Sequence, residues 1–358
     1  MPGKKNILIC PLNWGLGHAS RCVPVIRILN EAGNNVIIAA AGSALELLKC
    51  EFPQNSFIHF NDYNIRYSKG KNLAWKILFQ IPKIVFRIIW EHNKLKSIIK
   101  QHYIDVVISD NRFGLWNNNI RSIYITHQLF IKTPGGNAWQ EKLLKKIHFW
   151  FISKFDVCWI PDLPGEINLS GELSRKFAVP ENAKFIGLLS GFYASVKPAE
   201  IEYDICVLIS GPEPQRTIFQ DLLIGQIKNT SLHVVVILGK PSETKAKIRE
   251  ENNTIISFLS PAEIREYFCK SKYVIARSGY STIMDLAATG RKALLIPTPG
   301  QPEQEYLAVY LEKKKLFFTC RQDKFDVTRA LEKADEYSGI NIEQDHEALK
   351  KAILSSIS

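Results

Sequence analysis

The seven cysteines (10, 22, 50, 158, 206, 269 and 320) form no C-x-x-C pair, and their number is odd. That excludes a zinc knuckle and a disulfide framework, so the expectation is reduced, mostly buried thiols in a cytosolic protein. No apolar run approaches the roughly 20 residues of a membrane span, because charges interrupt every window of that length. Residues 1–5 lead directly into a strand-like segment at 6–10, which leaves no room for a cleavable signal. Repeats and low-complexity tracts are missing. So are zinc-finger, RNP and arginine-rich patterns, which argues against nucleic acid as a partner.

What remains is a chain of 358 residues, 46% apolar and 23% charged, long enough for two domains and too apolar to be disordered. Its net charge of +11 is unevenly placed. Residues 1–195 carry 24 Lys and Arg against 13 Asp and Glu, whereas residues 196–358 carry 22 of each. The excess therefore lies in the first half, as expected of a domain that meets an anionic partner. Residues 76–100 and 142–154 concentrate it, interleaving Lys and Arg with Phe79, Phe86, Trp90, Phe149, Trp150 and Phe151. Such a pattern fits amphipathic helices lying on an anionic bilayer, and equally fits core-facing helices with solvated lysines.

Strand-like runs alternate with helical periodicity, which predicts α/β domains with parallel sheets. Strands are expected at 6–10, 35–40, 57–60, 104–109, 122–126, 156–160 and 184–188, then at 203–210, 233–238, 254–258, 273–276, 293–297 and 316–320. A helix from about 20 to 31 should follow the first strand, stopping at Gly33. The Gly-, Ser- and Pro-bearing stretch 189–202 reads as a linker. The expected organisation is a first domain over 1–190, a second over 203–342, and a helix over 343–358 that packs back on the first. Ligands of doubly wound domains belong at the carboxyl ends of the strands.

Two glycine-bearing loops carry the chemistry. The first reads PLNWGLGHASR over residues 11–21, between the first strand and helix. Gly15 and Gly17 permit a tight turn and close backbone approach, and the amides opening the helix form an anion site. Ser20 replaces the third glycine of a dinucleotide fingerprint, and no ribose-binding acid closes the second strand. His18 is placed either for general-base work near neutral pH or simply to hold the loop.

The second loop lies within residues 276–308. Ser278, Gly279, Ser281 and Thr282 follow a strand and open a helix, so hydroxyls and amides converge as a diphosphate requires. Asp285 lies one turn deeper on the same face, where a carboxylate can accept both hydroxyls of a ribose. Glu303 and Gln304 open the next helix at the same rim, a carboxylate and an amide suited to sugar hydroxyls. Each piece alone also reads as an ordinary helix start. Ser210, Gly211 and Arg216 repeat the arrangement after the strand at 203–210, as a phosphate contact or a rigid turn.

Together GLGHASR and SGYSTIMDLAATGRKALLIPTPGQPEQ resemble the two-domain GT-B glycosyltransferases. The group meant is that of the lipid-intermediate N-acetylglucosaminyltransferase of peptidoglycan synthesis and the plant monogalactosyldiacylglycerol synthases. The resemblance implies two Rossmann-like, doubly wound domains facing across a cleft. It implies an inverting reaction that moves a hexose or N-acetylhexosamine from a UDP-sugar to an acceptor hydroxyl, lipid-linked or of a cell-envelope glycan. It also implies no cofactor besides the donor and no metal, which agrees with the absence of any D-x-D. Charge on the diphosphate would then be met by amides, helix openings, and Arg216 or Arg277.

By the same likeness His18 matches the histidine of the glycine loop. Ser278, Gly279, Ser281 and Thr282 match the phosphate turn; Gly17, Ser210, Gly211 and Arg216 are further donor contacts expected from the residues themselves, since the turn after the strand at 203–210 lacks the Gly-Gly-Ser pattern of the peptidoglycan enzyme. Asp285 stands where the family usually has Glu on the ribose, and Glu303 and Gln304 match the sugar-contacting pair. For the acceptor, the strand ends offer Asn111, Arg112 and His127, and Asp110 competes with His18 as the base. Two other classes fit the same scaffold: a nucleotide-sugar epimerase, and a non-catalytic nucleotide-sugar-binding partner of a membrane synthase. If the basic stretches meet lipid, the protein sits in the cytoplasm on the inner face of the plasma membrane.

Overall fold

The computed structural model describes residues 3–61, 73–132, 138–192, 199–240, 246–250 and 252–358, with backbone only for 73–81 and 138. Its first sheet is built from β1 (Asn6–Pro11), β2 (Asn35–Ala40), β3 (Ser56–His59), β4 (Val106–Asp110), β5 (Arg121–Ile125), β6 (Val157–Ile160) and β7 (Ala183–Phe185). Helices α1 (Leu16–Glu31), α2 (Gly42–Glu51), α3 (Leu73–His102), α4 (Ala138–Ile152) and the short α5 (Glu172–Arg175) connect them. All seven strands are parallel, in the order β3-β2-β1-β4-β5-β6-β7. Parallel strands are covered on both faces, which is why β1 reads as one unbroken apolar run, with Ile7, Leu8, Ile9 and Cys10 wholly buried.

The second sheet repeats the plan with β8 (Tyr203–Leu208), β9 (Val234–Ile237), β10 (Lys247–Glu250), β11 (Asn253–Ile256), β12 (Ser271–Ala276), β13 (Lys292–Leu295) and β14 (Phe318–Thr319). Its helices are α6 (Gln215–Ile227), α7 (Pro261–Cys269), α8 (Tyr280–Thr289), α9 (Pro302–Lys313) and α10 (Val327–Ala334). The order is β10-β11-β9-β8-β12-β13-β14, parallel except where β10 runs against β11. The core of this half joins Ile205, Val207 and Ile275 of the strands to Phe219 and Leu223 of α6. The last helix, α11 (His346–Ile357), returns to the first sheet, where Trp159 Nε1 donates to Ser356 Oγ at 3.0 Å. Contacts divide the chain into one unit of Met1–Asn13, Arg21–Leu189 and Gln344–Ser358, and another of Trp14–Ser20 and Ser190–Glu343.

Two elements differ from expectation. Strand β10 was not foreseen because its four residues, Lys-Ile-Arg-Glu, are all exposed. It carries none of the apolar alternation that marks a strand, and its charges suit an edge. Helix α1 begins at Leu16, four residues earlier than the composition suggests, because Gly15 takes φ +83° and completes the turn alone. His18 thus stands in the first turn of a helix.

The basic stretches face two ways at once. Helix α3 buries Glu91, Leu95 and Ile98, while α4 buries Glu141, His148 and Ile152. Burial pushes the His148 imidazole down to about 4, and its Nδ1 donates to the Leu129 carbonyl at 3.3 Å. The opposite faces present Val85, Phe86 and Ile89 on α3 and Trp139, Leu143, Ile147 and Trp150 on α4, all exposed. The side chain of Phe79 lies outside the described residues, as does the middle of the 189–202 segment.

Glu91 turns inward because Arg112 waits there. The guanidinium donates from Nε to Glu91 Oε1 at 2.9 Å, reaches the Asn61 carbonyl at 2.6 Å and lies 4.7 Å over the Phe60 ring. Arg112, expected to contact an acceptor, is fully enclosed and holds the end of β4 instead. Removing one partner of a buried pair strands the other charge, so Glu91→Ala should cost about 3–5 kcal/mol by urea unfolding. The paired replacement Glu91→Leu with Arg112→Met should recover most of that loss. A single variant as stable as the parent would show that the pair contributes nothing to the fold.

Candidate active site

In the second sheet the chain order reverses between β8 and β12, and such a reversal is where doubly wound sheets bind ligands, at the carboxyl ends of the strands. Ser210 and Gly211 follow β8, with Gly211 at φ +107°, and Arg277, Ser278 and Gly279 follow β12. Ser278 is buried, and its Oγ donates to the Gln304 carbonyl at 2.9 Å. Gln304 Oε1 in turn accepts from the Thr298 amide at 2.9 Å. The turn after β12 and the start of α9 are therefore stitched side by side. A Cβ on Gly279 would stand 4.0 Å from Gln304 Nε2, so the amide's donor end faces this glycine.

Gly279 is the N-cap of α8 and supplies no side chain to its amides, and no acid occupies the first turn. A helix opening in that state favours an anion. Thr282 is half-buried in the same turn. Ser281 Oγ is engaged with the Gly17 carbonyl at 2.9 Å, within the unit that counts residues 14–20 as its own. A Cβ at Gly17 would come within 2.9 Å of that hydroxyl, which explains the glycine. Glu303 lies half-buried in the first turn of α9, beside Glu305, whose Oε1 accepts from the Gly300 amide at 2.9 Å.

Asp285 is buried on α8, where its Oδ1 accepts from Ser190 Oγ at 2.6 Å and from the Gly191 amide at 3.1 Å. One oxygen of the expected ribose ligand is thus committed to the start of the linker. Burial raises this carboxyl to about 7, against the lowering effect of both hydrogen bonds. Ser190 was not singled out in the sequence, and nothing local to it signals a partner 95 residues away. Arg216, expected on a phosphate, is instead bound to Glu213, with Nε donating at 2.8 Å. The same carboxylate accepts from the Thr217 amide at 3.3 Å and from its Oγ1 at 2.8 Å, so Glu213 binds both the first turn of α6 and Arg216.

In the first sheet the order reverses between β1 and β4. Asp110 ends β4, wholly buried, with both oxygens bound by Arg21; Nε donates to Oδ2 at 2.9 Å. A carboxylate enclosed with a guanidinium is a poor proton acceptor, so Asp110 is corrected from candidate base to structural anchor. Arg21 also donates from Nη1 to His127 Nδ1 at 3.1 Å. Arginine has no acceptor, so Nδ1 carries the lone pair and the imidazole proton resides on Nε2. Asn111 adopts φ +54°, and its Oδ1 accepts from Tyr124 at 3.3 Å. His18 is half-buried in α1.

The carboxyl of Asp285 sets a pH dependence. Between its ordinary 3.8 and about 7 the folded state alone keeps the proton, so stability falls as pH rises through that window and levels above it. The span corresponds to something on the order of 4 kcal/mol. Asp285→Asn should therefore melt higher than the parent at pH 8 and closer to it at pH 5. A melting-point difference independent of pH would contradict this account.

Residues 216–354 match the glycosyltransferase family 28 C-terminal domain. A protein of Methanosarcina mazei named "Uncharacterized glycosyltransferase" is 27% identical over 325 residues, 87% of this chain and 84% of the relative. Over 154 residues, 41% of this chain and 42% of the relative, the chain is 25% identical to a Rhodopseudomonas palustris UDP-N-acetylglucosamine–N-acetylmuramyl-(pentapeptide) pyrophosphoryl-undecaprenol N-acetylglucosamine transferase. Among solved structures, the calicheamicin glycosyltransferase CalG4 superposes with a TM-score of 0.60 at 13% identity, covering 99% of this chain and 95% of that one. The chain has the GT-B fold of a glycosyltransferase, and its residues 216–354 are related to the family 28 C-terminal domain.

Proposed function

We propose that the protein transfers a hexose or N-acetylhexosamine from a UDP-sugar to an acceptor hydroxyl, with inversion and without a metal ion. One observation carries the reading: the turn at Ser278 and the turn at Gln304 are bonded together at a strand-order reversal. The uncapped opening of α8 suits a diphosphate, and Gln304 Nε2 with Glu303 suits sugar hydroxyls. The absence of D-x-D from the sequence supports a donor whose charge is met by protein groups. The R. palustris relative, named for a UDP-N-acetylglucosamine reaction, supports UDP as the nucleotide.

In this reading His18 takes or relays the acceptor proton as the sugar–diphosphate bond breaks, and the helix openings stabilise the leaving diphosphate. His127, with its proton on Nε2, donates to an acceptor oxygen. The exposed apolar stripe of α4 is flanked by Lys142 and Lys146, and Lys154 lies 4.8 Å over the Trp150 ring. Lysines around a row of tryptophan, leucine and isoleucine match an anionic bilayer surface, which makes a lipid-linked or cell-envelope acceptor the natural one. With seven free thiols, four of them wholly buried, the protein belongs on the cytoplasmic side of that membrane.

Labelled UDP-sugars test the transfer. UDP should be released only when an acceptor is present; a changed sugar still joined to UDP would mean epimerisation, and binding without turnover a non-catalytic role. His18→Ala should lower turnover by roughly two to four orders of magnitude while leaving UDP affinity nearly intact. A fully active variant would move the base elsewhere. For the membrane, the protein should sediment with phosphatidylglycerol vesicles but not with phosphatidylcholine alone. Trp139→Ser with Trp150→Ser should abolish that binding without lowering the melting temperature.

A further inference from the structure

At the carboxyl end of β6 the chain folds residues 163–171 into a loop around one carboxylate. Asp162 is wholly buried there. Its Oδ1 accepts from the amides of Leu163 at 2.8 Å and Leu169 at 3.0 Å. Its Oδ2 accepts from the Ser170 amide at 3.0 Å, from Ser170 Oγ, and from Arg175 Nη1 at 3.1 Å. Arg175 Nη2 closes the ring by donating to the Leu163 carbonyl. Asn168 completes the interior: its Nδ2 donates to the Glu166 carbonyl at 2.9 Å, and its Oδ1 accepts from the Gly171 amide at 2.9 Å.

A carboxylate taken out of water is expensive unless donors fill its oxygens, and here the loop's own backbone does so. The loop is thereby fixed from within, and a plain connection from β6 to β7 requires no such device. Its place is the rim that carries His127, because β5 and β6 are parallel neighbours and send their following loops to the same end. The two loops are also joined directly. The Phe130 amide donates to the Leu173 carbonyl at 2.8 Å, and Lys132 pairs with Glu172 at 2.9 Å. Asn168, Leu169 and Ser170 turn inward, whereas residues 164–167 are exposed, Ile167 by 65%. An apolar side chain on a fixed loop meets a ligand without the ordering penalty that a flexible one incurs.

We infer that Asp162 is a positioning residue that holds residues 163–171 as a wall of the acceptor site, where Ile167 contacts an alkyl portion of the acceptor. The inference rests on the sugar-transfer reading above and deepens it by naming what the first unit recognises besides the reacting hydroxyl. A loop made rigid for stability alone would serve every acceptor alike, whereas a wall separates acceptors by their tails.

Methyl and octyl glycosides of glucose, galactose and N-acetylglucosamine, offered below the micelle concentration with UDP-sugar donors, test the wall. In the parent the octyl acceptor should show a KM about tenfold or more below that of its methyl counterpart. Ile167→Ser should erase most of that difference at an unchanged melting temperature, and Ile167→Val should keep most of it. Asp162→Asn loses an acceptor for the Ser170 and Arg175 donors. It should speed hydrogen exchange at the Leu169 and Ser170 amides and raise the octyl KM several-fold, with the loss appearing in KM and not in kcat. An octyl-to-methyl ratio identical in the parent and Ile167→Ser overturns the inference, even if Asp162→Asn fails to fold. If no acceptor is glycosylated, the transfer reading fails. Calorimetric titration with the same glycosides then decides the wall separately: an octyl preference erased by Ile167→Ser supports it, and no octyl preference overturns it.

Discussion

A single hydrogen bond, from the Ser278 hydroxyl to the Gln304 carbonyl, holds the chemistry of the second sheet together. Ser278 is enclosed at the end of β12, and Gln304 opens α9, three elements further along the chain. The bond brings an uncapped helix opening and an amide donor to the same rim. Everything argued about the donor depends on that adjacency. It arises because parallel strands set side by side deliver all their following loops to one end of the sheet.

Enclosed charge organises both halves, with different results. In the first unit Asp110 and Glu91 neutralise Arg21 and Arg112, and these pairs fix the ends of β4 and the lining of α3. Their role is architectural: Arg21 spends its donors on Asp110 and His127, and Arg112 on Glu91 and the carbonyls of Pro11 and Asn61. In the second unit Glu213 pairs with Arg216 at the start of α6, but at the surface, with the carboxylate half exposed. Arg277, enclosed after β12, departs from the pattern: it donates to the carbonyls of Gln215, Ile296 and Pro297 and to Gln322 Oε1.

The basic amphipathic helices show how one sequence pattern satisfies two demands. Helix α4 sends Glu141, His148 and Ile152 inward while Trp139, Leu143, Ile147 and Trp150 remain exposed. A core stripe alone would have left lysine on the outer face. Here lysines flank the apolar stripe, and Lys145 lies 3.9 Å over the Phe177 ring. The helix is therefore apolar on two sides, which is why its periodicity alone did not choose between core and surface.

The sequence by itself determined the alternation of strands and helices, because strands covered on both faces must be written as unbroken apolar runs such as Ile7–Ile9 and Val234–Ile237. It also marked the glycine-bearing turns, since Gly15, Gly33 and Gly211 adopt positive φ that other residues resist. It could not reveal the exposed strand β10, whose stability comes from pairing with β11 and not from burial. Only the tertiary structure decided the partners of the charged residues. Asp110 and Arg112 read as ligands because polar residues at strand ends are normally free to bind, yet each meets an opposite charge from an element the local sequence does not name. Electrostatic pairing depends on distance in space, and residues 21 and 110, or 91 and 112, acquire that proximity only when the sheet has formed.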